Sequence, residues 1–126
     1  MVVLDTHVVV WWSGEPHRLG RVATARLAAE DSLGIPAIVF WEVALLVRKR
    51  RLDLGMSVEA WTQAIQTIPR VRALPLTAEI AVRADGLKMH ADPADRFIAA
   101  TALQHGSPLV SKDRLMRGLR FVETVW

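Results

Sequence analysis

Short apolar segments that alternate with longer amphipathic segments predict an α/β fold, in which helices cover both faces of a central parallel sheet. Three observations favour this three-layer α/β/α arrangement. The apolar runs are short and rich in β-branched residues, as in strands buried on both faces. Helix-capping residues stand at the starts of several longer segments. No repeat or linker interrupts the 126 residues, so we expect a single domain over residues 1–126.

The first half of the chain contains two predicted strands and two predicted helices. The β-branched run at residues 2–5 predicts a short buried strand. Apolar residues at helical spacing predict a helix over residues 17–30. A brief extended segment at 32–36 then leads into a long apolar helix over residues 37–51, which ends in a basic run.

Capping signals organise the second half of the chain. Ser57 predicts the start of a helix that reaches residue 68, where Pro69 stops it. A strand candidate follows at 71–76, and Thr77 caps a short helix that ends near residue 86. Further strands are predicted at residues 108–111 and 121–125.

The clearest local signal is the junction that contains Asp92, Pro93 and Asp95. Asp92 suits the N-cap, Pro93 suits the first helical position, and Asp95 falls at the third. The helix should run to residue 104 or 105, with Gly106 as its C-terminal stop.

Composition narrows the possible environments and chemistries of the protein. The chain has no cysteine, which excludes disulfides, thiolate metal sites and a cysteine nucleophile and is compatible with the reducing cytoplasm where we expect it. No apolar run reaches the roughly 18 residues that span a bilayer. Asp5 and His7 interrupt the first apolar run, so we expect no signal peptide.

Four carboxylates stand where an apolar run breaks off or where a polar group is out of place: Asp5, Glu42, Asp95 and Asp113. An unpaired carboxylate beside core elements loses hydration worth several kcal/mol. If the fold brings several together, their mutual repulsion adds to that cost, and a hard divalent cation relieves it. The pattern therefore predicts a metal-dependent enzyme.

The topology explains how these acids can meet. Asp5 and Asp113 follow predicted strands, and ligands of parallel α/β sheets bind beyond the carboxyl ends of the strands. Asp95 and Glu42 lie near the starts of helices that begin at the same edge. Oxygen ligands favour Mg²⁺ or Mn²⁺ over zinc. Individually, Asp95 also suits a favourable position in the helix dipole, and Asp113 also suits a turn.

The charge distribution favours a polyanionic partner. The formal net charge is +3. Without the four acids, the remaining charged residues sum to +7, so the rest of the protein is basic. Such an excess of positive charge attracts nucleic acid, although an arginine-rich protein without that partner would have the same composition.

The flanking residues of all four acids closely resemble PIN-domain ribonucleases, and within them the VapC toxins of VapBC-type toxin–antitoxin pairs. The resemblance covers nearly the whole chain and is carried by residues 2–7, 40–44, 92–102 and 109–113. It implies an α/β/α sandwich that cleaves RNA endonucleolytically with Mg²⁺ or Mn²⁺. It also implies a homodimer, and a small antitoxin whose tail enters the acidic groove.

The same resemblance implies roles for individual residues. Metal-binding and catalytic roles fall on Asp5, Glu42, Asp95 and Asp113. Thr6 and Ser111 match hydroxyl positions that support the site. Asp92 is a fifth acid whose role the motif leaves open, and Lys112 is not a required feature of the family.

Other functions remain open at this point. A free-standing RNA-processing nuclease would have the same acids, and a short upstream reading frame that encodes an antitoxin would distinguish the two. A catalytically silent module that binds RNA or protein has no reason to bear the repulsion among the acids. A haloacid-dehalogenase-like phosphatase would need an acid at position 7, which is histidine.

Three further groups of residues each have two interpretations. The basic run 48–51 either follows an RNA backbone or is a solvated helix end. Adjacent tryptophans either stack on bases or fill a core or an interface, and we expect contacts with a second copy or an antitoxin from Trp11, Trp12 and Trp41. The histidines lack metal-ligand spacing, so we expect structural or surface positions for His7, His17, His90 and His105.

Overall fold

The computed structural model describes all 126 residues, Met1–Trp126, and confirms the predicted α/β fold. Five parallel strands form one sheet in the order β3-β2-β1-β4-β5. The strands are β1 (Val2–Leu4), β2 (Leu33–Pro36), β3 (Val71–Leu74), β4 (Leu109–Val110) and β5 (Thr124–Val125). The helices are α1 (Thr6–Gly14), α2 (Arg21–Ala29), α3 (Ala37–Arg48), α4 (Val58–Gln66), α5 (Ala78–Gly86), α6 (Pro93–Gln104) and α7 (Arg114–Arg117).

The order of the strands places a switch point beside the first strand. The chain runs outward from β1 to β2 and β3, then returns to add β4 on the other side of β1. Val3 is in register with Gly34 of β2 and with Leu109 of β4. Because crossovers between parallel strands are right-handed, helices that connect strands on one side of β1 cover one face of the sheet, and those on the other side cover the opposite face. A crevice therefore opens beyond the carboxyl ends of β1 and β4, where ligands bind in such sheets.

The core is centred on β1. Val2, Val3 and Leu4 are completely buried because helices cover both faces of the sheet, which explains a continuous apolar run in place of an alternating one. No helix has the length and apolar character needed to cross a membrane.

The sequence pattern does not predict α1. Its run of Val8, Val9 and Val10 is β-branched and has low helix propensity. The connection between the parallel neighbours β1 and β2 must, however, cross over the sheet. In a helix, the buried valines satisfy the hydrogen bonds of their own backbone groups. Tertiary packing therefore overrides local propensity here.

Other elements also differ from the predictions, including α4, which ends at Gln66 and not at residue 68, and β5, which covers only Thr124–Val125. The predicted helix over residues 17–30 is divided, because a 3-10 turn at Pro16–Arg18 precedes α2 and Gly20 is the N-cap of α2. The long apolar helix ends at Arg48 and not at residue 51, and Arg50 adopts a left-handed conformation with a φ of 57°. The short helix α7 is not predicted from the sequence.

The predicted caps are confirmed. The side chain of Ser57 accepts a hydrogen bond from the Ala60 amide, and Thr77 accepts from the Ile80 amide. Each cap satisfies an amide that the first helical turn would otherwise leave unpaired.

Arg96 fastens the loop that leads into α6. Its guanidinium donates to five backbone carbonyl groups, at distances of 2.8–3.1 Å, from residues 84, 85, 87, 89 and 90. These carbonyls belong to the end of α5 and to the loop after it. A single side chain of α6 therefore fixes the backbone on either side of Leu87, including the position of His90.

We predict that Arg96→Lys lowers the free energy of unfolding by about 1–3 kcal/mol, because an ammonium group donates at most three hydrogen bonds and leaves carbonyl groups unsatisfied. Chemical denaturation would measure the change. Arg83→Lys is the matched control, since Arg83 lies exposed on α5 and makes no ion pair. Equal stability of Arg96→Lys and the wild type would contradict the role of the loop contacts.

Candidate active site

Asp5 is buried at the carboxyl end of β1, where it also caps α1. Only 5% of the residue is exposed. Its Oδ1 accepts a hydrogen bond of 2.8 Å from the Thr6 amide, and its Oδ2 accepts one of 2.5 Å from the Ser111 hydroxyl. Burial raises the pKa of this carboxyl group, and the two hydrogen bonds oppose that rise only in part. The ionised form is therefore costly in the absence of a cation.

Ser111 connects the acids that follow β1 and β4. Its hydroxyl donates to Asp5 and accepts a hydrogen bond of 3.1 Å from the Asp113 amide. Asp113 is the N-cap of α7, and its Oδ1 accepts from the amides of Leu115 and Met116. Its charge contributes to the raised pKa of Asp5. The turn interpretation of Asp113 is thus confirmed, and it coexists with a position beside Asp5.

Glu42 approaches the same region from α3 and is half-buried. Burial raises the pKa of its carboxyl group, the Thr6 hydroxyl lowers it, and the charge of Asp5 raises it further. The Thr6 side chain is completely buried, and its hydroxyl lies close enough to Glu42 to lower that pKa, although it forms no hydrogen bond of standard geometry. The hydroxyl and the Glu42 carboxylate are neighbouring oxygen donors that a further polar group can engage.

Asp95 lies at the third position of α6, as predicted. Its Oδ2 is 2.7 Å from Nε2 of His90. Burial, which the His90 contact opposes, raises the pKa of Asp95 to about 6. The nearby charges of Asp5 and Asp92 also raise it. The prediction that His90 is only a structural or surface residue is therefore incomplete, because its ring contacts a candidate ligand; spacing along the chain could not show this.

The four acids lie within one another's electrostatic influence, but none is paired with arginine or lysine. Asp5 raises the pKa of both Glu42 and Asp95, and Asp113 raises that of Asp5. Ion pairs with Lys or Arg form elsewhere in the chain. Although the chain has 16 Lys and Arg residues, none of them forms an ion pair with this cluster.

The chemistry of the cluster fits a divalent cation, although the side chains are not arranged to hold one. No three His, Asp or Glu side chains meet at coordination distance. One carboxylate oxygen of Asp95 contacts His90, and one of Asp113 accepts hydrogen bonds at the start of α7. The donors are carboxylate and hydroxyl oxygens, which suit a hard cation.

A cleft of about 710 Å³ opens beside Asp5 and Asp113. Basic side chains also line it, namely Arg18, Arg51 and Lys112. Of the basic run 48–51, only Arg51 reaches this cleft. Glu42 and Asp95 do not line it.

The tryptophans have different environments. Trp11 is 6% exposed and belongs to the core, so neither base stacking nor contact with a second copy can involve its ring. Trp12 packs partly buried against the same core. Trp41 is 56% exposed and remains a candidate for contact with a partner.

Comparisons with known proteins agree with this architecture. The PIN-domain profile matches residues 2–122. The chain is 41% identical over 129 residues to Ribonuclease VapC22 of Mycobacterium tuberculosis, covering 99% of this chain and 98% of that protein.

Solved structures show the same fold at low sequence identity. One is VapC20 of Mycobacterium tuberculosis, described as a sarcin-ricin loop cleaving toxin, with a TM-score of 0.71, 18% identity and 98% of each chain covered. Another is DNA-bound VapBC from Salmonella typhimurium, with a TM-score of 0.71, 16% identity, and 98% of this chain and 97% of that chain covered.

The geometry separates Asp92 from Asp95. Asp92 is the N-cap of α6, and its Oδ1 accepts a hydrogen bond of 3.2 Å from the Asp95 amide, as predicted. We predict that Asp92→Asn, which keeps a capping oxygen, costs little stability and retains most RNA cleavage. Asp92→Ala should lower the free energy of unfolding by about 0.5–2 kcal/mol. Asp95→Asn should eliminate cleavage.

Thermal denaturation and a cleavage assay on the three variants would test these assignments. Loss of cleavage by Asp92→Asn at an unchanged melting temperature would show that Asp92 is a fifth working acid and not a structural cap.

Proposed function

The chain belongs to the PIN-domain family, and we propose that it is a VapC-type ribonuclease toxin that hydrolyses RNA phosphodiester bonds with Mg²⁺ or Mn²⁺. The identity of 41% to Ribonuclease VapC22 over nearly the full length supports RNA as the substrate. The observation that carries the metal-dependent chemistry is the buried Asp5 carboxylate at the switch point, which has carboxylate neighbours and no cationic partner.

The proposed metal ligands are the four acids Asp5, Glu42, Asp95 and Asp113. Bound Mg²⁺ or Mn²⁺ would supply an activated water and neutralise charge on the phosphate and the leaving oxygen. The remaining contributions come from this chain. Ser111 holds the Asp5 carboxylate in a fixed orientation, and His90 does the same for Asp95. Thr6 places its hydroxyl beside Glu42.

A toxin of this type would also bind protein partners. Relatives with the same fold are crystallised as VapBC toxin–antitoxin complexes, which supports a small antitoxin as partner of this chain. The exposed Trp41 supports a protein contact on α3, either with the antitoxin or with a second copy in a homodimer. A free-standing RNA-processing nuclease is the alternative. A silent PIN module is disfavoured, because it would bear the cost of buried, unpaired acids without benefit.

We predict that the purified protein cleaves single-stranded RNA with Mg²⁺ or Mn²⁺, is inactive in EDTA, and loses cleavage in Asp5→Asn. The variant should be more stable than the wild type in metal-free buffer near neutral pH. Because the folded-state pKa of Asp5 is raised, the wild type loses stability relative to the variant as pH rises from about 3.9 through that pKa.

A gel-based cleavage assay and denaturation from pH 4 to 8 would measure both effects. Asp31→Asn is the matched control, because Asp31 is exposed and lies outside the site. Undiminished cleavage by Asp5→Asn would contradict the site assignment, and cleavage in EDTA would contradict the metal.

For the toxin role, we predict that the chain co-purifies with the product of an adjacent small gene and that this product inhibits cleavage. Trp41→Ala should weaken the complex or the homodimer without reducing cleavage by the free protein, since Trp41 lies outside the acidic cleft. Pull-down and light scattering would measure the contacts. Full cleavage in the presence of the neighbouring product would favour the free-standing nuclease.

A further inference from the structure

The cleft beside Asp5 has a wall that the nuclease chemistry does not explain. Trp11 lies six residues after Asp5 along α1, about 9 Å at the helical rise per residue. The guanidinium carbon of Arg18 lies 4.5 Å from the centre of its ring, and Nζ of Lys112 lies 5.2 Å from it. Two cations from separate segments of the chain therefore meet on one indole.

The indole is closed to substrate, but the cations are not. Trp11 is 6% exposed, and its ring also packs against Trp126 and His7, with centroids 5.9 and 5.6 Å away. Lys112 is exposed and makes no ion pair. An aromatic face attracts cations and restricts flexible side chains, which lowers the entropy lost when they bind a ligand.

Arg18 also contacts a carboxylate, which would compete with a bound phosphate. Its Nη1 is 3.7 Å from Oε1 of Glu15, and the two side chains are 48% and 52% exposed. An ion pair this long and this exposed is weak, so a stronger anion can displace the carboxylate.

We propose that Arg18 and Lys112, held on Trp11, form a phosphate-binding site for the RNA strand beside the scissile bond. The inference rests on the proposed nuclease function and names the contacts by which this chain holds its substrate. Lys112 directly precedes Asp113, so the pair lies next to the acids along the cleft wall. The RNA phosphates next to the scissile phosphate would then contact Arg18 and Lys112.

The structure favours a polynucleotide over an acidic peptide. The same cleft contains the carboxylates of Asp5, Glu15 and Asp113, which repel a peptide rich in carboxylates. A polynucleotide can place its scissile phosphate at the metal-binding acids and its next phosphates on the cations. Both signs of charge in the cleft then have a role.

The test measures binding separately from cleavage. A fluorescein-labelled single-stranded oligoribonucleotide is titrated with the full-length protein in EDTA at several KCl concentrations. We expect Arg18→Gln and Lys112→Gln each to weaken binding about threefold or more at low salt. Each should also reduce the slope of log affinity against log salt by about 0.7, the value for one lost phosphate contact on a single strand.

Arg83→Gln is the matched control, because it removes the same charge from an exposed position on α5 that does not line the cleft. It should leave the slope unchanged. With Mg²⁺, the two cleft variants should raise KM for the oligonucleotide and leave kcat within about twofold, as expected when uniform binding is lost.

The other outcomes contradict either this inference or the proposed nuclease function. Unchanged slopes for Arg18→Gln or Lys112→Gln, or an equal loss for Arg83→Gln, would overturn the shared site. Binding of poly-glutamate that is as tight and as dependent on Lys112 would show a protein-docking surface instead. If the wild type binds RNA with the expected slopes but never cleaves it, the binding site stands and the proposed nuclease function fails.

Discussion

The hydrogen bond from Ser111 to Asp5 links the residues that follow the paired strands β1 and β4, at the switch point of the sheet. The bond is 2.5 Å long, although 106 positions separate the two residues in sequence. Asp5 also caps α1, and the Ser111 hydroxyl receives the amide of Asp113. The starts of two helices and the centre of the candidate site therefore depend on one buried carboxylate.

That carboxylate is held at an energetic cost. Burial raises the pKa values of Asp5, Glu42 and Asp95, so folding at neutral pH works against their ionisation. The rest of the molecule offsets this cost with a completely apolar β1 and with the five backbone contacts of Arg96, which fix the loop beside Asp95. Neighbouring residues of α6 thus have different roles: Arg96 fastens the backbone, and Asp95 belongs to the cluster of acids.

The arginines and lysines of the chain are kept away from the acids, although their number would allow pairing. Arg18 and Lys112 are held on the ring of Trp11, and the cleft beside them also contains the carboxylates of Asp5 and Asp113. A cleft with both kinds of group suits a polyanion that meets a cation-loaded acidic centre and basic residues near it.

The sequence alone determined the features that depend on neighbours in the chain. The buried strand β1, the caps at Ser57, Thr77 and Asp92, and the place of Asp95 in the first turn of α6 are local, because a strand's pattern or a cap's hydrogen bond involves only a few consecutive residues. The flanking residues of the acids also indicated the family. Tertiary structure alone decided that the valines of α1 form a helix, that His90 contacts Asp95, and that Arg18 and Lys112 meet on Trp11. These contacts join residues that are close only after the sheet has formed, and burial, not propensity, selects them.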